Sequence, residues 1–135
     1  MIGILLLSHG PFCEQLMTST AMIAGPLANT KAVALHEGED PDVFGKCIQA
    51  AVKTLDADDG ILVLVDILGG TPFNQIALLS RELNVQIVTG MNMPMFLQVL
   101  LERDKVESVT ELAELAKSSG LESIKMITGS NSMAE

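Results

Sequence analysis

Apolar positions along the chain follow two rhythms. Residues 2–7 (IGILLL), 31–36 (KAVALH), 61–65 (ILVLV) and 85–88 (VQIV) are short apolar runs bounded by Gly, Pro, Asp or Asn, which predicts strands. Every position of 61–65 is apolar, so this strand is expected to be buried on both faces, as in a parallel sheet covered by helices. Between the runs, residues 12–25, 40–55 and 73–83 carry apolar side chains at three- and four-residue intervals, which predicts helices. Gly25 marks the end of the first, Asp40–Pro41 the start of the second, and Asp58–Asp59–Gly60 its separation from the third strand.

After the fourth strand, 94–104 and 108–120 read as two further helices, the latter with Ser108 or Thr110 as cap and Gly120 as stop. A last strand-like run, 121–127 (LESIKMI), precedes a short polar tail at 128–135. The order βαβαβαβααβ predicts an α/β domain with a doubly wound sheet and helices on both faces. At 135 residues, with no internal repeat or linker, the chain reads as one domain.

Composition removes several classes of function. A net charge of −9 argues against nucleic acid or an anionic membrane surface as partner. Trp and Tyr are absent, so the usual platforms for stacking bases or sugars are missing. Cys13 and Cys47 fall within expected helices at no metal-like spacing, which suits a reduced, cytoplasmic chain. The apolar start lacks a positive residue and a long apolar core, so neither signal peptide nor membrane span is expected.

Parallel sheets bind ligands beyond the carboxyl ends of their strands, where successive connections leave in opposite directions. If strands two and three flank strand one, that crevice lies between strands one and three. Just past them stand Ser8-His9-Gly10 and Asp66-Ile67-Leu68-Gly69-Gly70-Thr71. One imidazole, one carboxylate and a glycine turn then converge. A carboxylate accepting from Nδ1–H fixes the tautomer and leaves the Nε2 lone pair facing the cleft as nucleophile or base. Gly69 and Gly70 let backbone N–H groups gather on an anion, Thr71 adds a hydroxyl, and the helix start carries partial positive charge.

A phosphoryl group on Nε2 fits this arrangement energetically. About 6 Å from the Asp66 carboxylate, at an effective dielectric of about 20, it is repelled by about 3 kcal/mol per unit charge. Two or three donors contributing about 1.5–3 kcal/mol each roughly cancel that repulsion. Near balance suits a group that must be accepted and then released.

The motifs SHG (8–10), LVDILGGTPFN (64–74) and GMNMPM (90–95) resemble the IIA domain of mannose-family sugar phosphotransferase systems, over residues 1–127. The resemblance implies a phosphocarrier: the small carrier HPr phosphorylates His9 on Nε2, and His9 passes the group to IIB. Asp66 is then the orienting partner, Gly70 and Thr71 hold phosphoryl oxygens, and Gly69 shapes the turn. The membrane components IIC and IID take part indirectly, in sugar uptake. The family's fold is an open sheet of four parallel strands plus a C-terminal antiparallel strand exchanged between two protomers. With 121–127 in that place, a swapped homodimer is implied. Some relatives continue into a IIB domain; here IIB is expected to be a separate chain. The family's Gly-Gly-Ser-Pro version has threonine here, which keeps the hydroxyl.

Phe12, Phe73 and Met93 are candidate partner contacts; for each, as for Met91 and Met95, core packing is the alternative. His36 and the acidic run from Glu37 to Asp42 read as a solvated strand end and helix start. The rival readings are a hydrolase using Ser8 or Thr71, a regulatory module, or a dihydroxyacetone kinase phosphocarrier. The hydrolase lacks a nucleophile elbow. No metal or cofactor is expected, since only one His and one Asp converge.

Overall fold

The computed structural model describes residues 1–129; of the expected polar tail, 130–135 lie outside the described residues. The order is β1 (Gly3–His9), α1 (Phe12–Ala24), β2 (Thr30–Leu35), α2 (Pro41–Lys53), β3 (Ile61–Val65), α3 (Gly70–Leu79), β4 (Val85–Thr89), α4 (Met93–Glu102) and α5 (Val109–Glu122). The strands are parallel and lie in the order β2-β1-β3-β4.

Strand alternation divides the core in two. Ile4, Leu6, Leu62 and Leu64 pack with Leu16 of α1, Phe96 of α4 and Leu112 of α5. Leu5, Leu7, Val63 and Val65 pack on the other face with Phe44 and Ile48 of α2 and Ile76 of α3. Crossover handedness explains the division. The β1–β2 connection steps one way along the sheet, while the β2–β3 connection steps back over β1. Right-handed crossovers in opposite directions place their helices on opposite faces. The chain therefore parts between the carboxyl ends of β1 and β3.

Helix starts follow local chemistry. Asp40 accepts from the Asp42 N–H, Asn92 from Met95, and Ser108 from Glu111, so Ser108 rather than Thr110 is the cap of α5. At the opposite end of the sheet, the buried Arg103 guanidinium donates to the carbonyl oxygens of Ile2, Ala28 and Asn29. Burial lowers its pKa from the usual arginine value.

One expectation needs correction and another is narrowed. Gly120 does not stop α5: the helix runs on to Glu122, and a Cβ at Gly120 would lie 2.7 Å from Met95 Cε. Glycine there permits close packing of α5 on α4. The strand expected over 121–127, one exchanged with a second protomer, is shortened at its start, and among the described residues it pairs with no strand of its own chain. Leu121 and Glu122 are helical, and 124–128 have no regular structure. A helix extends by its own hydrogen bonds, whereas a strand exists only against a neighbouring edge. Ile124, Met126 and Ile127 are correspondingly exposed. Among the described residues, no helix is long and apolar enough to cross a membrane.

Candidate functional site

Two differences in element bounds build the site. β1 continues through His9, and α3 begins at Gly70 rather than at Phe73, so the imidazole and the helix start meet across the β1–β3 crevice. Asp66 follows β3 directly, and its N–H donates to the Leu7 carbonyl at 3.2 Å, which carries the parallel ladder one step past the strand.

From that position Asp66 uses both carboxylate oxygens. Oδ1 accepts from the Ile67 N–H at 2.9 Å. Oδ2 accepts from the His9 backbone N–H at 2.8 Å and lies 2.9 Å from His9 Nδ1. A carboxylate only accepts, so in the neutral ring this contact puts the hydrogen on Nδ1 and leaves the lone pair on Nε2. The side chain of Asp66 is 15% exposed and that of His9 50%, so the brace is sheltered while the imidazole is open to a partner.

The other side of the imidazole faces the glycine turn. A Cβ on Gly70 would lie 3.0 Å from His9 Cε1 and 3.1 Å from Nε2, and Gly70 also has φ +79°. Glycine is thus required twice, for left-handed backbone and for close approach to the ring. Gly69, at φ +82°, has open space where a Cβ would stand, so only its conformation demands glycine. Gly70 and Thr71 open α3, where first-turn N–H groups lack intrahelical acceptors and the helix end is partially positive. Thr71 is partly buried, and Pro72 is buried in the same turn.

Other candidates fall into distinct surroundings. Ser8 is fully buried; its hydroxyl donates to the Gly10 carbonyl at 2.9 Å and accepts from the Cys13 N–H at 2.8 Å. It cannot meet a substrate as a hydrolase nucleophile. Burial also raises the Cys13 thiol's pKa. Phe12 is exposed beside the site, whereas Phe73 and Met93 are partly buried and pack on the two cores. Met91 and Met95 are core residues. His36 is well exposed, its Nδ1 3.5 Å from Glu39 Oε1.

Sequence reasoning passed over Ile67 and Leu68. Both side chains are exposed, between Asp66 and the glycine turn. Their signal was available: two large apolar residues in a turn whose neighbours are all polar or glycine.

A family model, EIIA-man, described as the fructose IIA component of the PTS, matches residues 3–117. The chain is 32% identical to the mannose-specific EIIAB component of the PTS from Escherichia coli over 128 residues, 93% of this chain and 39% of that one. It therefore spans well under half the length of that relative. It is 33% identical to the fructose-specific EIIA component from Bacillus subtilis over 105 residues, 77% of this chain and 72% of that one. The crystal structure of a phosphotransferase system EIIA component from Streptococcus agalactiae superposes with a TM-score of 0.85 at 30% identity, covering 93% of this chain and 97% of that one.

Proposed function

The chain belongs to the EIIA-man family of sugar phosphotransferase IIA components, and from that premise we propose that it is a cytoplasmic phosphocarrier using His9. The observation that carries the reading is the division of labour on one imidazole. Nδ1 is held by Asp66, and Nε2 stands against Gly70 at the start of a helix.

In the proposed step, Nε2 attacks the phosphorus of phosphorylated HPr. A nitrogen–phosphorus bond forms on His9 as the bond from phosphorus to its donor breaks. The Nδ1 hydrogen stays in place throughout, and the cationic imidazolium of the phosphorylated ring is stabilised by the Asp66 carboxylate. Gly70 and Thr71 supply N–H donors, and Thr71 a hydroxyl, to the phosphoryl oxygens. Reversal of the same step onto IIB delivers the group toward sugar uptake through IIC and IID. Phe12, Ile67 and Leu68 form the apolar rim that a docking carrier covers, which keeps water from the phosphoryl group.

The same reading includes a homodimer. Among the described residues no strand pairs with the outer edge of β4, and a cavity of 690 Å³ beside it is lined by Val88, Thr89, Ala113, Leu121 and Ile124. An exposed strand edge beside an apolar groove suits an added strand. Residues 124–127 of a second copy are the proposed occupant.

Incubation with phosphorylated HPr tests the function. An acid-labile, base-stable phosphate on His9, transferable to IIB, supports it. No label on the intact chain refutes it.

A further inference from the structure

Ser8 is a polar residue on an apolar strand face. Alternation puts it with Ile4 and Leu6, and it is as fully buried as they are. A hydroxyl in such a place is costly unless both its donor and acceptor roles are met. Here they are met by one short loop. Pro11 precedes α1 as its cap residue and has no side-chain oxygen, so the first-turn N–H groups need an acceptor from elsewhere. Ser8 Oγ reaches forward to accept from the Cys13 N–H and donates its own proton to the Gly10 carbonyl.

The residue enclosed by these bonds is His9. Its N–H is held by Asp66, the Gly10 N–H donates to the Leu35 carbonyl at 2.7 Å, and the Gly10 carbonyl is held by Ser8. Gly10, at φ +61°, is the left-handed pivot that turns the chain from β1 into α1. Without the Ser8 hydroxyl, the pivot keeps its backbone bond to β2 but loses its tie to α1. The direction of the imidazole would then rest on Asp66 and the Gly10–Leu35 bond, with the α1 side of the turn unfixed.

We propose that Ser8 is a positioning residue for phosphoryl transfer, aiming His9 Nε2 by locking the Gly10 turn to the start of α1. The inference rests on the phosphocarrier reading of His9. Ser8 itself touches no reacting atom.

The test compares the full chain with Ser8→Ala and Ser8→Thr. Uptake from phosphorylated HPr is measured over a range of donor concentrations, and nitrogen NMR reports the tautomer of the His9 ring. Ser8→Ala is expected to lower kcat about 10- to 100-fold, as angstrom-scale misplacement does, with KM within about twofold. Its His9 ring is expected to pass from one Nδ1–H tautomer to a mixture of both. Ser8→Thr is expected to restore both readouts.

Wild-type kcat and tautomer in Ser8→Ala overturn the proposal, as does a loss confined to KM. A Ser8→Thr chain as impaired as Ser8→Ala overturns it too. If Ser8→Ala does not fold, Ser8→Cys, which keeps the volume but bonds weakly, takes its place with the same criteria. If the wild-type chain takes no phosphoryl group, the phosphocarrier reading falls by itself. The ring spectra still decide the role of Ser8, and unchanged spectra in the variant overturn it.

Discussion

One oxygen of Asp66 holds His9 twice, accepting the backbone N–H at 2.8 Å and standing 2.9 Å from Nδ1. Backbone and side chain of the histidine are thereby tied to a single point at the end of β3. A substitution that spares the shape of Asp66 but reverses its polarity separates bracing from bulk. In Asp66→Asn, an amide turned toward Nδ1 moves the ring hydrogen to Nε2 and leaves the His9 N–H without its acceptor. The opposite flip sets the amide against the Ile67 N–H, so the brace is broken in either orientation. Phosphoryl uptake is expected to fall by up to about 10⁴-fold, the loss seen when a catalytic histidine is left in the wrong tautomer. Thermal melting within a few degrees of wild type would show the fold intact; uptake at the wild-type rate would remove Asp66 from the mechanism.

Gly69 and Gly70 differ in a way that kinetics can read. Gly70→Ala places a methyl group against His9 Cε1 and Nε2, whereas Gly69→Ala meets open space. Both carry positive-φ strain, Gly69 with ψ −179° in a region essentially reserved for glycine, costing about 1–3 kcal/mol of stability each. Transfer is expected to be lost in Gly70→Ala and largely kept in Gly69→Ala, measured by label on His9 at saturating phosphorylated HPr. Equal activities would mean that the Gly70 contact with the ring has no role.

Leu68 is 70% exposed beside the turn and makes no part of either core. If Ile67 and Leu68 meet the incoming carrier, Leu68→Asp is expected to raise KM for phosphorylated HPr about tenfold, the scale of losing an apolar interface anchor, and to leave kcat within about twofold. A fall in kcat at unchanged KM would assign the loop to chemistry instead of docking.

Arg103 tests the far end of the sheet. Its guanidinium is buried and satisfies carbonyls of Ile2, Ala28 and Asn29, joining α4 to the starts of β1 and β2. Arg103→Leu strands these acceptors, and unfolding in urea is expected to show a loss of about 3 kcal/mol, a typical sum for stranded buried acceptors. Because β1 delivers His9 at its other end, the folded variant is expected to accept phosphate normally. An unchanged urea midpoint would show that water replaces the arginine at no cost.

Oligomeric state tests the β4 edge. Removal of residues 124–135 is expected to turn a dimer into a monomer, as measured by light scattering after size-exclusion chromatography. A truncated chain that stays dimeric would place the interface elsewhere.

Much of this architecture was legible in one dimension because its causes are local or periodic. The five-residue apolar run at 61–65 announced a strand buried on both faces, and all five side chains are buried. Asp40–Pro41 and Ser108 marked helix starts because their side chains or ring act within one turn. The run at 121–127 was legible only in part, for the same reason in reverse. Its apolar pattern suits a strand, but a strand needs an edge to pair with, and that lies beyond the local sequence.

The sequence alone determined which residues alternate, where helices begin and which chemical groups follow β1 and β3, since backbone propensity and side-chain period act over a few residues. It did not determine that one Asp66 oxygen would hold both the amide and the ring of His9, or that Gly70 would stand against Nε2. Nor did it reveal that Ser8 would be buried as a clamp, or that Ile67 and Leu68 would stay exposed. Those outcomes depend on strand register and on the place where α3 starts, accurate to an ångström or two. Only packing of both helix layers on the sheet sets distances that fine.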